Sequence, residues 1–257
     1  MYHQLNFKQV FVNSLSAVKF SAYLKRLYKI QDAKKFPLPL GILLCSLLFL
    51  TACGKNMSTK KFLALGDSYT IGESVERHNS WPFQLQKKIK PQVNFDVKII
   101  AKTGWTTDEL AAAIRQEKIS ETFDMVSLLI GVNNQYRRRS ADEYRKEFIE
   151  LLEQAIVFAG NDPSKVVVVS IPDWGVTPFA EKDPRSSVEI GKQIDLYNKI
   201  NAEESLKKKC YYVDITPISK KASVDSELNA DDGLHPSAKM YGMWVEKISP
   251  VALKILK

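Results

Sequence analysis

A serine follows the first strand-like segment of the chain, in the stretch KFLALGDSYTIG at residues 61–72. The apolar run reaches Leu65 and then meets Gly66, Asp67 and Ser68. An ordinary turn would explain these residue types. A serine at the end of a buried strand could also be a nucleophile, which near neutral pH needs a base to take its proton and a third group to orient that base.

Histidines that could serve as the base are scarce. Beyond residue 52 the chain contains only His78 and His235. His235 lies in NADDGLHPSAKMYG, and Asp232 precedes it by three residues, a spacing that puts both side chains on one side of a turn leading to a helix. We predict that Asp232 orients His235, with Asp231 as the rival carboxylate. His78, in the polar stretch SVERHNSWP, is interpreted as a surface histidine.

Two other segments could donate hydrogen bonds to the oxyanion of a tetrahedral intermediate. The segment KTGWTTDEL places Gly104 just before a helix start, where a glycine lets the backbone approach closely and leaves an N–H free. The segment LLIGVNNQY carries Asn133, whose side-chain amide can donate. Each feature is ordinary by itself, although losing one established oxyanion donor costs about 100-fold to 1000-fold in rate.

Apolar runs alternate with helical patterns along the chain, which predicts a doubly wound α/β sandwich around a parallel sheet. Ligands in such folds bind at the carboxyl ends of the strands, and Ser68 directly follows the first strand. Pro236 is expected in the first turn of the last helix. The predicted strands are 61–66, 93–100, 124–130, 165–171 and 210–215, and the predicted helices are 106–117, 140–160, 186–208 and 236–256.

Four short blocks occur together in one order. They are GDSYT at 66–70, TGWT around Gly104, GVNN around Asn133, and DGLHP at 232–236. In this combination the chain resembles the SGNH hydrolases, also called GDSL-type esterases and lipases. The blocks span almost all of the chain that follows the leader, and they do not form the Gly-x-Ser-x-Gly motif of α/β-hydrolases.

The resemblance implies specific roles and a fold. Ser68 would be the nucleophile, His235 the general base and Asp232 the group that orients it. The oxyanion hole would consist of the Ser68 N–H, the Gly104 N–H and the Asn133 side chain. The implied fold is a flavodoxin-like three-layer α/β/α sandwich with a five-stranded parallel sheet, and no cofactor is implied.

Two positions depart from the residues common in that family. Tyr69 follows the serine where many members have Leu or Ile, and Asn134 follows Asn133 where many have Asp. Neither change removes a group with an implied catalytic role.

Three side chains are predicted to shape the substrate pocket. Asp67 and Trp105 adjoin the implied site residues, and Trp174 lies in the Pro-rich segment 172–187, which is expected to overhang the site. Aromatic rings suit an acyl chain or a sugar face. The expected reaction is hydrolysis of a small-molecule, glycan or lipid ester, with carbohydrate deacetylation favoured. The alternatives are a lysophospholipase or lipase activity, O-acyl transfer by the same triad, and ligand binding without catalysis.

The N-terminal region has the pattern of a secretory leader. A short apolar run, LGILLCSLLFL, follows two lysines and ends in LTAC, which looks like a bacterial lipobox. We therefore expect residues 1–52 to be a lipoprotein signal with an over-extended start. Residues 53–60 would be the lipidated Cys53 and a tether, and residues 61–257 the hydrolase domain. The expected location is the bacterial cell envelope, with a lipid anchor in the membrane.

The formal net charge of +8 comes mostly from the leader, since residues 1–52 hold seven Lys or Arg and one acid and so carry +6. Nucleic acid binding is therefore not expected. The cluster RRR at 137–139 is interpreted as a solvated face that could alternatively hold an anionic group. The sequence shows no metal-ligand cluster, and it does not indicate an oligomeric state. Cys210 is expected to be a buried, unpaired thiol.

Overall fold

The structure is a computed structural model, and it describes residues 59–257. The leader, Cys53 and most of the tether lie outside the described residues, so the lipoprotein and envelope assignments stay predictions. Within the described range, no helix combines the length and the apolar character that a membrane crossing requires.

Five parallel strands form one sheet in the order β2-β1-β3-β4-β5. This order and the surrounding helices confirm the predicted α/β class. The strands are β1 (Lys60–Gly66), β2 (Phe95–Ala101), β3 (Met125–Leu129), β4 (Val166–Val169) and β5 (Tyr211–Val213).

Helices cover the sheet, and short helical turns follow several strands. The helices of the described range are α1 (Ser68–Ile71), α2 (Trp81–Ile89), α3 (Thr107–Glu117), α4 (Val132–Tyr136), α5 (Ala141–Phe158), α6 (Ser187–Lys207), α7 (Thr216–Ser219) and α8 (Ala238–Leu256). Helix α2 packs against α8, whereas α5 packs against both α3 and α6.

The central strands are apolar on both faces, apart from Ser127 of β3, because both faces are covered. Every residue of β3 and β4 is buried, and β4 consists of four consecutive valines. Such continuous β-branched and aliphatic runs are typical of a parallel sheet with helices on each side. The core sits in these two sheet–helix layers.

The chain reverses its direction of winding between β1 and β3, which are neighbours in the sheet. Gly66 at the end of β1 pairs with Ala101 of β2 and Leu129 of β3, so the three strands end level with one another. In open α/β sheets this switch point is where ligands bind. The segments that follow these strands carry Ser68, Gly104 and Asn133.

The structure corrects two local expectations. Helix α2 was not predicted, although Trp81, Leu85 and Ile89 recur every four residues and are all buried. Pro236 was predicted in the first turn of α8, but that helix begins at Ala238 after the N-cap Ser237. Pro236 instead forms an isolated antiparallel bridge with Asn229.

Candidate active site

Ser68 is the first residue of the short helix α1, immediately after β1. Asp67 is the N-cap, and its Oδ1 accepts a 3.0 Å hydrogen bond from the Tyr69 N–H. Ser68 is only 5% exposed. As the first helical residue its N–H has no intrahelical acceptor, and no other acceptor for it exists in the described part of the chain. The strand therefore ends in a turn that displays both the hydroxyl and the N–H of Ser68.

Gly66 is required here by close packing and not by a left-handed turn. A Cβ at this position would collide with the Leu129 carbonyl oxygen of the neighbouring strand and with Oγ1 of Thr70. Its φ lies outside the positive region that other glycines of the fold occupy. Glycine thus lets α1 lie tight against the ends of β1 and β3.

Asp67 does not line the substrate cavity, contrary to its predicted role in shaping the pocket. Its side chain is fully buried beside Ser68, and its Oδ2 has no partner among the described residues. Burial raises the pKa of Asp67 to about 7, although hydrogen bonds from backbone N–H groups oppose the rise. Asp67 therefore affects the site indirectly, because it caps and fixes the start of α1.

His235 and Asp232 are brought together by a closed loop before α8. The Ala230 N–H donates to the His235 carbonyl at 2.7 Å, and the Ser237 N–H donates to the Leu228 carbonyl at 2.8 Å. Nδ1 of His235 lies 2.5 Å from Oδ2 of Asp232. The contact leaves Nε2 of His235 available for proton exchange.

The Asp232 carboxylate is held by several donors. Its Oδ1 accepts from the N–H groups of Leu234 and His235, both at 2.9 Å. Partial burial raises the pKa of Asp232, but hydrogen bonds from Ser74, His235 and the two N–H groups outweigh it, and the pKa falls well below its usual range. Asp232 is therefore ionised near neutral pH.

Ser74 is a site residue that the sequence did not reveal. Its Oγ donates a 2.6 Å hydrogen bond to Oδ2 of Asp232 across 158 residues of sequence. Its backbone has a φ of 64°, a left-handed conformation that is uncommon for serine. No motif marks this position, so only the folded chain shows the contact.

The other carboxylate and the other histidine considered from the sequence, Asp231 and His78, are not part of this site. Asp231 is exposed and makes no hydrogen bond to His235 in the described residues. His78 is also exposed and is not among the residues that line the cavity beside Ser68. Asp232 and His235 are the acid–imidazole pair of this site.

Gly104 occupies a tight turn at the carboxyl end of β2. The Trp105 N–H donates to the Lys102 carbonyl at 3.2 Å, and Gly104 has a φ of 83°, as the third residue of a type II turn requires. A Cβ there would meet only Nη2 of Arg137, at an ordinary contact distance of 3.8 Å, so the backbone conformation selects glycine. The Gly104 N–H donates to no acceptor in the described chain and lies at the cavity wall.

Helix α4 supplies two asparagines with different tasks. Asn133 lines the cavity, and its Nδ2 donates one hydrogen bond to the Trp105 carbonyl at 3.0 Å, which leaves the second Nδ2 hydrogen available. Asn134 is fully buried; its Oδ1 accepts from the Thr107 N–H at 3.1 Å and its Nδ2 donates to the Thr107 hydroxyl at 2.6 Å. Asn134, at the position where many family members have Asp, thus anchors the start of α3.

One cavity of about 150 Å³ brings these groups together. Its walls are mostly aromatic and aliphatic around a small polar patch. The lining residues are Ser68, Tyr69, Thr103, Gly104, Val132, Asn133, Tyr136, Trp174, Phe179, Leu234 and His235.

Of the two tryptophans predicted in the pocket, only Trp174 lines it. Its indole N–H donates to Oε1 of Gln135 at 2.8 Å, and its ring packs edge-on against Tyr136 with centroids 5.5 Å apart. Trp105 is half-buried and packs on the core instead, contributing its carbonyl to Asn133. Tyr136, which was not predicted, is 45% exposed and stands at the mouth.

Other potentially reactive groups lie away from the cavity. Cys210 is buried and has no disulfide partner among residues 59–257, and burial raises the pKa of its thiol to about 12. Within residues 59–257, no group of three or more His, Cys, Asp or Glu side chains is arranged to hold a metal ion.

A family model and several solved structures match this chain. The family model for the GDSL-like lipase/acylhydrolase family matches residues 64–243. A comparison with curated proteins found no match.

Solved structures with a similar fold include three bacterial enzymes. A lipase/acylhydrolase from Enterococcus faecalis is 20% identical, with 77% of this chain and 98% of that chain covered and a TM-score of 0.60. The acetylxylan esterase Axe2 from Geobacillus stearothermophilus is 18% identical, with 78% and 95% covered and a TM-score of 0.57. The psychrotrophic esterase EstA from Pseudoalteromonas sp., inhibited by monoethylphosphonate, is 15% identical, with 76% and 97% covered and a TM-score of 0.55.

At these identities the solved structures show a shared fold, while the family model covers most of the chain. Both agree with the resemblance to SGNH hydrolases drawn from the four sequence blocks. The chain belongs to the GDSL-like lipase/acylhydrolase family and is a hydrolase of that family.

Proposed function

We propose that this chain is a serine esterase that cleaves short-chain acyl esters through an acyl-enzyme on Ser68. The observation that carries the proposal is the convergence on one small cavity of Ser68, His235 and two backbone N–H groups that have no acceptor in the described part of the chain. These are the parts that ester cleavage by a serine nucleophile needs: a nucleophile, an oriented base and donors for an oxyanion.

In the first half-reaction Oγ of Ser68 attacks the ester carbonyl carbon, and its proton passes to Nε2 of His235. Asp232 contacts Nδ1, so it holds the imidazole in the tautomer that accepts at Nε2 and stabilises the imidazolium that forms. The tetrahedral intermediate collapses when the C–O bond to the alcohol breaks. His235 then returns the proton to the leaving alcohol.

The negative charge of the tetrahedral oxygen needs donors that are in place before the reaction. The N–H groups of Ser68 and Gly104 and the second Nδ2 hydrogen of Asn133 are the three candidates. Donors that are already fixed in place act without reorganisation, which is the main source of stabilisation in such holes. The turn at Gly104 and the bond from Asn133 to Trp105 provide that rigidity.

In the second half-reaction water replaces the alcohol. His235 takes a proton from the water, the hydroxyl attacks the acyl carbon, and the proton returns to Oγ of Ser68 as the carboxylic acid leaves. The chemistry is balanced without any group beyond the ester, water and the residues named.

The cavity favours a short acyl group. A volume of about 150 Å³ is similar to that of a buried cavity that accepts benzene, which has about six heavy atoms. An acetyl group fits such a space, whereas a long fatty acyl chain would have to extend into solvent. The exposed ring of Tyr136 at the mouth offers a flat surface of the kind that sugar faces contact.

We therefore propose that the substrates are acetylated carbohydrates and that the enzyme is a carbohydrate deacetylase. The fold shared with an acetylxylan esterase supports this choice. The test compares acetate release from an acetylated oligosaccharide with fatty acid release from a lysophospholipid. Faster deacetylation is expected, and a preference for the lysophospholipid, or transfer of the acetyl group to an added sugar instead of water, would contradict the assignment.

The nucleophile can be tested by covalent labelling. An uncharged alkyl fluorophosphonate should phosphonylate Ser68, as mapped by mass spectrometry of tryptic peptides from the purified full-length chain. His235→Ala should slow the labelling, Ser68→Ala should abolish it, and heat-unfolded protein serves as the control. Labelling at another residue, or none at all in the folded protein, would overturn the proposal.

A further inference from the structure

Asn133 of helix α4 and Arg137, the C-cap residue of that helix, both contact the turn that carries Gly104. These two residues are four apart in the sequence, so one helical turn brings Arg137, at the C-cap, to the same side as Asn133. Nδ2 of Asn133 donates to the Trp105 carbonyl at 3.0 Å, and Nη2 of Arg137 donates to the Gly104 carbonyl at 2.7 Å. Two consecutive carbonyls of the turn are therefore held by α4 and its C-cap residue.

Arg137 is itself held in place. Its Nη1 lies 3.3 Å from Oε1 of Glu109, and the other oxygen of Glu109 accepts from the Thr106 N–H at 2.9 Å. Glu109 is also part of the capping box that starts α3. The guanidinium thus bridges the start of α3 and the Gly104 turn, and hydrogen bonds from a charged donor are about twice as strong as neutral ones.

The three consecutive arginines differ in their surroundings, which argues against a uniform solvated face. Arg139 pairs with Asp108 and Glu147. The side chain of Arg138 makes no hydrogen bond or ion pair within the described residues, and its backbone φ is 59°. Only Arg137 reaches a residue of the cavity wall.

Glycine needs such a restraint more than other residues do. With no Cβ, Gly104 can leave its φ of 83° at little steric cost, and a rotation of the peptide unit would turn its N–H away from the cavity. A guanidinium on the Gly104 carbonyl opposes that rotation. It does so without entering the cavity, because Arg137 is not among the lining residues.

We propose that Arg137 is a positioning residue that holds the Gly104 N–H in the orientation required of an oxyanion donor. This inference rests on the proposed function, because it assigns Arg137 a role in that same site. Arg137 would act through Gly104 and would not touch the substrate, so its loss should slow the chemical step and leave substrate binding unchanged.

The test compares Arg137→Ala, Arg137→Lys and Arg138→Ala in the purified full-length chain, with kcat and KM measured on p-nitrophenyl acetate, an uncharged ester. Arg137→Ala is expected to lower kcat about tenfold, less than the outright loss of a donor, with KM changed less than twofold. Arg137→Lys should recover part of kcat, because an ammonium can still donate to the Gly104 carbonyl. Arg138→Ala, which removes the same charge, should match the wild type.

Several outcomes would overturn the inference. They are an Arg137→Ala kcat within twofold of the wild type, a loss confined to KM, and an equal loss in Arg138→Ala. Melting temperatures are measured for every variant, and if the alanine variant unfolds, Arg137→Lys decides: its kcat should be reduced at unchanged KM. An inactive wild type that is not labelled at Ser68 would instead refute the proposed function, and this inference with it.

Discussion

Ser74 Oγ donates to the same Asp232 oxygen that contacts the imidazole of His235, at 2.6 Å and 2.5 Å respectively. The loop after α1 is thereby tied to the loop before α8 directly at the site. Ser74 adopts its left-handed backbone conformation at this point of contact. Strain of this kind persists where the surrounding structure holds the residue in place, and it is frequent at functional sites.

Replacing Ser74 by alanine should lower esterase activity. Removing one hydrogen bond of about 1 kcal/mol from the carboxylate corresponds to about a fivefold loss in kcat/KM, because His235 is then held less firmly. The measurement is steady-state hydrolysis of p-nitrophenyl acetate by the purified full-length variants.

Ser74→Gly is the matched control, since glycine also lacks the hydroxyl but tolerates the φ of 64°. Both variants should lose activity equally, while the glycine variant should be the more stable by about 1 kcal/mol. Full activity in either variant would show that the hydroxyl has no role in orienting Asp232.

Asp232→Asn should reduce kcat by about 100-fold or more. An amide at this position cannot stabilise the imidazolium and can force the wrong tautomer on His235. Asp231→Asn is the neighbouring control and should stay within twofold of the wild type, because Asp231 is exposed and makes no hydrogen bond to the histidine in the described chain. Equal losses in the two variants would argue against Asp232 as the orienting carboxylate.

Gly66→Ala should destabilise the fold by about 3 kcal/mol, since an added methyl meets the Leu129 carbonyl, which is fixed in the sheet. Gly160→Ala is the comparison: Gly160 has a φ of 72°, but a Cβ there would make only an ordinary 4.0 Å contact with Thr122, so the change should cost only about 1 kcal/mol. Urea unfolding gives the free energy of unfolding of both variants. A Gly66 variant no less stable than the Gly160 variant would refute the packing explanation.

Asp67→Asn should change how stability depends on pH. Burial raises the pKa of Asp67 to about 7 in the folded state, whereas an unfolded Asp titrates near 3.9. Between these values the folded state binds more protons than the unfolded state, so this group's contribution to stability falls as pH rises and is constant above about pH 7.

The asparagine variant lacks that linkage. Its free energy of unfolding, minus that of the wild type, should increase from pH 4 to pH 7, as measured by urea unfolding at each pH. Asp232 has a lowered pKa and contributes its own pH dependence at more acidic pH, in both proteins. A difference that does not vary with pH would show that Asp67 is ionised in the fold at acidic pH.

The sequence predicted the sheet and the residues at its carboxyl edge, because both depend on short-range patterns. The four valines of β4 and the Asp-x-x-His spacing are visible without a fold. The apolar residues of α2 recur every four positions, a spacing that indicates a helix. The polar residues between them obscured this pattern. Strand ends were predicted a residue or two too long where apolar residues continue into the following loop, as at Ile171.

The contacts that support the site could not be predicted in this way. Ser74 lies 158 residues from Asp232, and Arg137 lies 33 residues from Gly104. Side chains at such separations meet only through the packing of several elements, and no local pattern marks them. The role of Asp67 could not be predicted either. Its position next to Ser68 suggested a pocket residue, whereas in the structure it is buried and caps the start of α1.

The most direct test of the account is hydrolysis of p-nitrophenyl esters, from acetate to long-chain acyl groups, by the full-length chain and by Ser68→Ala. We predict that the acetate ester is hydrolysed, that kcat/KM falls once the acyl group exceeds about six heavy atoms, and that Ser68→Ala loses at least about 1000-fold in kcat. Full activity in Ser68→Ala, or a wild type that hydrolyses none of these esters, would contradict the assignment of Ser68 as the nucleophile of a short-chain esterase.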